Sequence, residues 1–246
     1  MMSRDLITRI YTGLAGFASK RIRKLFLRLP GFHALASAFR WRSFMRPGDT
    51  VVQAGVDMGA KLNRGQIPNA LSMAQVVGTH GRVIAIEPSK ENAALLRTYL
   101  KMHEMHNIIV VEKALWSSRA TLLFKLGKQS WHNRLAQVSS SQDQSTSFNG
   151  SYEVQGDKLD SILKELGIEN VAHVCLTING AELEALKGMP GILKQEHIGL
   201  LVASGETQAF NEVIGSVPTN KRIAELLISQ GFSVTIDRIG WVTARR

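Results

Sequence analysis

Thr50-Val51-Val52-Gln53-Ala54-Gly55-Val56-Asp57-Met58-Gly59 joins a strand-like run to a glycine turn. Residues 50–54 form a short, mostly apolar run of strand length, and the turn after it carries two glycines. Glycine has no Cβ, so such a turn can bend sharply and let backbone approach backbone or ligand closely. A second run follows, Arg82-Val83-Ile84-Ala85-Ile86-Glu87-Pro88, with an acid at its carboxyl end and a proline to stop it. Two apolar runs separated by a helix-length segment predict a βαβ unit and a parallel sheet.

Reading outward, the same alternation continues. Helices are expected at 68–77, 90–102, 159–166, 181–187 and 219–230. Strands are expected at 50–54, 82–87, 108–111, 171–177 and 198–203. Residues 121–124 and 151–154 read as a pair of extra strands, and 139–150, rich in Ser, Gln, Asn and Asp, as a surface loop. The chain closes on a hairpin, 232–236 and 240–244, around 237–239, which forces an antiparallel strand into the sheet. The fold class is therefore α/β and Rossmann-like: a mostly parallel seven-stranded sheet, helices on both faces, and a C-terminal antiparallel hairpin strand. No internal repeat is present.

The charge is uneven. The 246 residues carry a formal +10, and residues 1–46 hold ten Lys or Arg against one acid, Asp5. The rest, 47–246, is nearly neutral and reads as the folded domain. Residues 4–29 predict an amphipathic helix with Ile7, Tyr11, Leu14, Ala18, Ile22, Leu25 and Leu29 on one face, and 32–44 predict a second short helix. A basic amphipathic extension of this kind can dock on its own domain, lie on an anionic membrane surface, or act as a presequence or nucleic-acid arm. No apolar run is long enough to cross a bilayer. Lys20, Arg21, Arg23 and Lys24 directly follow the weak apolar stretch 10–18, where a cleaved signal would not normally put them. The single cysteine, Cys175, excludes an internal disulfide and reads as a small buried strand residue. The expected location is cytoplasmic, and peripheral at a membrane if residues 1–46 bind one. Nucleic acid is not an expected partner.

Ligands of open α/β sheets bind outside the carboxyl ends of the strands. That places Gln53, Gly55, Asp57 and Gly59 beside Glu87 and Pro88. A carboxylate there can accept hydrogen bonds from ribose hydroxyls. Lys113, Ala114 and Leu115 follow the next strand, where an adenine would need an apolar wall. His33, His80, His103, His106, His132, His173 and His197 are scattered, and no cluster has zinc or iron spacing, so no metal is expected. No Ser-His-Asp motif or phosphate-binding loop is present.

At this point the chain resembles the FkbM-type family of S-adenosylmethionine-dependent methyltransferases. The resemblance runs from about residue 48 to the C-terminus. It rests on VVQAGVDMG, GRVIAIEPSKENAALLRTYL, GDKLDSIL, CLTINGAELEALKGM and the closing GWVTARR. The family's first motif reads roughly V-D-V-G-A-N-x-G. Gln53 stands here in the place of its acid, whereas Gly55, Asp57 and Gly59 match or nearly match. The later motif reads roughly K-I-D-V-E-G-A-E. Cys175, Thr177 and Asn179 replace its Lys, Asp and first Glu, and Gly180 and Glu182 remain.

The resemblance implies S-adenosylmethionine as cofactor, held by Gln53, Gly55, Asp57, Gly59, Glu87, Pro88, Lys113, Ala114 and Leu115. It also implies methyl transfer, with an oxygen of a small-molecule, glycan or lipid-linked acceptor as the expected target. The acceptor side is expected at Thr177, Asn179, Glu182 and Glu206. Asn179, Glu182 and Glu206 are the candidate catalytic residues, and His132 is a further candidate base. Two other readings stand beside this one. A degenerate, non-catalytic relative would bind a nucleoside ligand or a partner. A nicotinamide enzyme would use the same crevice, although the G-x-G-x-x-G spacing is absent and Glu87 lies too far past Gly55.

Overall fold

The computed structural model describes residues 43–59, 68–138, 148–203, 219–237 and 240–246. The helices expected at 4–29 and 32–44 fall almost entirely outside them, as does Glu206.

The central sheet is built from β1 (Thr50–Ala54), β2 (Arg82–Ile86), β3 (Ile108–Val111), β8 (His173–Leu176), β9 (Gly199–Val202), β10 (Ser233–Ile236) and β11 (Val242–Arg245). Its order is β10-β11-β9-β8-β1-β2-β3. β1 runs parallel to β2 on one side and to β8 on the other, in register Gln53↔Ala85 and Gln53↔Cys175. β11 alone runs antiparallel to its neighbours β9 and β10.

Strand alternation sorts the core into two layers. Val52, Ala54, Ile84, Ile86, Val174, Leu176, Leu200 and Val202 join one cluster. α3 (Leu159–Glu165), α4 (Glu182–Lys187) and α5 (Asn220–Ser229) supply its other half through Leu159, Ile162, Leu186, Ile223 and Leu227. Val51, Val83, Ala85, Cys175 and Leu201 face the other way. They meet α1 (Asn69–Val77) and α2 (Lys90–Met102) through Ala70, Met73, Ala74, Leu96 and Leu100. Helices therefore cover both faces, as the pattern predicts. Cys175, the single cysteine, is a fully buried strand residue.

A second sheet rises after β3. It has the order β4-β7-β5-β6, from β4 (Ala114–Leu115), β5 (Ala120–Gly127), β6 (Arg134–Leu135) and β7 (Phe148–Asp157). β5 and β7 form the expected strand pair, longer than periodicity indicates. Residues 148–150 belong to β7 and not to the expected loop, because Gly150 pairs with Leu126 and Phe148 with Gly127. β4 and β6 are two residues each, too short for a periodic signal. The closing hairpin also shifts. Its turn runs through Trp241, whose N–H donates to Asp237 Oδ1 (2.9 Å) and whose carbonyl accepts from Asp237 N (3.0 Å).

Ser43–Arg46 are part of the body. Met45 is buried. Phe44 lies 5.1 Å, ring to ring, from His173 and beneath the Arg245 guanidinium. Among the described residues no helix is long and apolar enough to cross a membrane.

Candidate functional site

The carboxyl end of β1 is closed by hydrogen bonds from one side chain. Gln53 is fully buried, and its Nε2 donates to the carbonyls of Ala54 and Gly55 and to Thr177 Oγ1, each at 2.9 Å. Flipping the amide would point its oxygen at two carbonyl oxygens, so this orientation is fixed. The Gln53 Oε1 atom is buried with no hydrogen-bond partner among the described residues.

Gly55 has φ +81°, and a Cβ there would stand 2.0 Å from the Thr177 carbonyl oxygen. Glycine at 55 thus serves the close approach of β1 to the end of β8 as well as the turn. Gly59 is different: among the described residues the nearest atoms to a Cβ are Leu95 Cδ1 and Ser130 Oγ, both at 3.9 Å.

Glu87 follows β2 directly and is 5% exposed. Its Oε2 accepts from Val56 N at 2.6 Å and its Oε1 from Ser89 N at 2.8 Å. Burial pushes its carboxyl up to about 7; the backbone N–H groups of Val56 and Ser89 pull the other way, and Asp57 adds to the rise. Pro88, between Glu87 and the α2 cap Ser89, is half-buried. Asp57 Oδ1 accepts from Ser130 Oγ at 2.7 Å, and Ser130 opens a single 3-10 turn, Ser130–His132, between β5 and β6. The second sheet is therefore folded back onto the turn after β1.

β8 ends in Thr177, Ile178, Asn179 and Gly180. Asn179 sits at φ +53°, a left-handed position that asparagine tolerates, and its Nδ2 donates to Asn133 O at 2.8 Å. Glu182 turns inward. It is 1% exposed, and its two oxygens accept from Ile178 N (3.0 Å) and Gly180 N (2.8 Å), which closes the turn before α4. Burial pushes its carboxyl up to about 7. His132 is held below its usual range, first by burial and then by the Arg134 charge.

The structure thus gathers Gln53, Asp57, Glu87, Thr177 and Asn179 at one end of the sheet. Ala114 and Leu115 lie buried in β4, past the end of β3. The side chain of Lys113 goes elsewhere: its Nζ donates to Asp157 Oδ2 (3.1 Å) and Glu165 Oε2 (2.8 Å), and Arg119 joins the same two acids. Sequence reading missed Ser130 and Asn133, which reach the site from the second sheet and carry no motif. It also missed the acids Asp157 and Glu165, whose role depends on which strand β4 pairs with.

The chemistry of this set fits a nucleoside with an amino-acid tail. Such a ligand offers hydroxyl and ammonium donors, and the sheet end offers acceptors. One of these, Gln53 Oε1, is buried and lacks a donor among the described residues. These features define the class: a methyltransferase-type domain on a Rossmann-like sheet. Within that class the chain belongs to the FkbM methyltransferase family, whose domain model matches residues 57–234.

Solved structures of similar fold include methyltransferase FkbM from Methylobacillus flagellatus, with 14% identity and TM-score 0.49 over 91% of this chain and 57% of that one. A SAM-dependent methyltransferase from Aquifex aeolicus has 15% identity and TM-score 0.47 over 93% and 98% of the two chains. Fibrillarin from Aeropyrum pernix, in complex with natively bound S-adenosyl-L-methionine, has 13% identity and TM-score 0.48 over 86% and 74%. This chain spans little more than half the length of the first of these. No curated protein matches it.

Proposed function

We propose that the crevice at the carboxyl ends of β1, β2 and β8 holds S-adenosylmethionine and passes its methyl group to an oxygen of a small-molecule, glycan or lipid-linked acceptor. The observation that carries this reading is the 2.6 Å hydrogen bond from Val56 N to Glu87 Oε2. It joins the glycine turn and the strand-end acid into one acceptor surface. Glu87 is the ribose partner, with Gln53, Gly55, Asp57, Gly59 and Pro88 around the rest of the cofactor. Adenine lies along Ala114 and Leu115, with Lys113 contributing backbone only.

The bound sulfonium supplies a methyl group that is already activated, so this chain's residues need only bind, orient and exclude water. That suits the residues on the acceptor side. Thr177 and Asn179 are neutral, and the oxygens of Glu182 are taken by its own turn. Glu206 remains a candidate base outside the described residues. The acceptor oxygen is itself the nucleophile, reacting as an oxyanion or passing its proton to Glu206 or His132. A non-catalytic, ligand-binding member is the second reading, favoured by the neutral replacements at 53, 177 and 179.

Partner and location follow from the basic segment. Residues 1–46 would bring the protein to an anionic membrane surface, with the body itself near neutral.

Isothermal calorimetry with S-adenosylhomocysteine and with NAD tests the cofactor reading. Saturable one-to-one binding of the first and none of the second is expected. The reverse would replace it with a nicotinamide enzyme. Transfer of labelled methyl from S-adenosylmethionine to a panel of hydroxylated acceptors then separates an active enzyme from a binding protein.

A further inference from the structure

Three acids of the family motifs are absent here, and the structure shows two of the replacements in contact. The motif aspartates fall at 53 and 177. Gln53 Nε2 and Thr177 Oγ1 are 2.9 Å apart, and both face the same two carbonyl oxygens, Ala54 O and Gly55 O. Ala54 O already accepts from Thr177 N at 3.0 Å, and the two side chains add donors to it and to Gly55 O. An ionised carboxylate in either side-chain position would meet oxygen with no proton between, whereas an amide and a hydroxyl supply the hydrogens. Asn179, in place of the motif's glutamate, is likewise spent as a donor, to Asn133 O. The contact between the ends of β1 and β8 is therefore closed without charge.

The first motif also differs in the opposite sense. Where it reads A-N-x-G, this chain reads Val56-Asp57-Met58-Gly59, with an acid in the place of asparagine. Asp57 is partly exposed, and Ser130 Oγ, from the second sheet, donates to its Oδ1 at 2.7 Å. The other acids of the turn regions, Glu87 and Glu182, are buried and accept from backbone N–H groups on both oxygens.

We infer that the negative charge of the motif has moved from position 53 to position 57. Asp57, oriented by Ser130, is then the counter-charge for the cationic groups of the ligand, and Gln53 and Thr177 form a neutral floor. The inference rests on the cofactor reading above. It deepens that reading by assigning charge recognition to a residue at which the family motif has none.

The test compares three ligands on the full chain and on Asp57→Asn by calorimetry at low ionic strength. S-adenosylmethionine and S-adenosylhomocysteine both carry an α-ammonium, and the first adds a sulfonium. 5′-Methylthioadenosine has the same nucleoside and no charge. Asparagine keeps the shape and the acceptor for Ser130, so the variant retains the turn. The expected result is a loss of about tenfold for the charged ligands, the size of one carboxylate acting on a cation at about 6 Å in intermediate dielectric. Methylthioadenosine should bind the two proteins equally. A loss confined to S-adenosylmethionine also upholds the inference and places the charge at the sulfonium. Equal loss for all three ligands, or no loss for any, overturns it while the cofactor reading stands. If none of the three binds the unmodified chain, the cofactor reading fails and the inference falls with it.

Discussion

Val56 donates its backbone N–H to Glu87 Oε2 across 2.6 Å, so the turn after β1 and the acid after β2 are one structural unit. Removing the carboxylate strands the N–H groups of Val56 and Ser89 and deletes the proposed ribose partner. Glu87→Ala should lose about 1.5–3 kcal/mol of cofactor binding, with a fall in stability of similar size. Calorimetry together with urea unfolding measures both. A folded variant with unchanged affinity removes Glu87 from the site.

Stability should fall as pH rises through neutrality. Burial raises the carboxyls of Glu87 and Glu182 from 4.5 to about 7. Between these values the folded chain binds more protons than the unfolded one. The contribution is thus full below about pH 4.5 and is lost as pH passes 7, by on the order of 3 kcal/mol for each group. Urea midpoints at pH 5 and pH 8 should show the drop, reduced by His173, which burial holds at about 3 and which adds stability as pH rises to 6.5, and Glu182→Gln should shrink it further. A midpoint that rises over this interval contradicts the assignment.

The two glycines of the turn should behave differently. Gly55→Ala puts a Cβ 2.0 Å from the Thr177 carbonyl oxygen at φ +81°. Strain and displaced backbone should cost about 3 kcal/mol or more. Gly59→Ala meets nothing closer than 3.9 Å among the described residues and should leave thermal stability within about 0.5 kcal/mol. Equal losses in thermal unfolding would show that the close approach of β1 and β8 does not explain Gly55.

Lys113 separates the ligand surface from the frame. Its ammonium is held by Asp157 and Glu165, so Lys113→Ala should leave nucleoside affinity unchanged. Asp157, whose side chain is 3% exposed, gathers Lys113 and Arg119, and Asp157→Ala should cost about 2–4 kcal/mol of stability. A weakened affinity in Lys113→Ala would return its side chain to the adenine.

The basic segment has its own measurement. The full chain should sediment with anionic vesicles at low salt and be released at high salt, since each basic group near such a surface contributes about 1 kcal/mol that salt screens. Changing Lys20, Arg21, Arg23 and Lys24 to Gln should abolish pelleting. If both proteins stay in the supernatant, the membrane reading is dropped.

Much of the fold is legible in the sequence because each strand of the parallel sheet is short and apolar and each helix has a clear period. Val51 and Val52 already point to opposite faces by alternation alone, and the structure sends them to different clusters. What escapes is non-local. The two-residue strand β4 exists only because Ala114 and Leu115 pair with Gly156 and Asp157. Ser130 reaches Asp57 across 73 positions of chain, and nothing near either residue announces it. Glu182 reads equally well as a base or as a turn-closing acid, and only its burial and its two backbone donors distinguish these geometrically. The replacements at 53 and 177 are visible in sequence as separate losses. That they form one hydrogen-bonded pair depends on β1 lying beside β8.

The most direct measurement of the central claim is a crystal structure of the full chain with S-adenosylhomocysteine. Ribose hydroxyls should lie within hydrogen-bonding reach of the Glu87 carboxyl, about 3 Å. Adenine should lie along Ala114 and Leu115, and the amino-acid end should lie over the turn between Gly55 and Gly59. A nucleoside bound elsewhere on the molecule, with Glu87 still closed on Val56 and Ser89 alone, would contradict it.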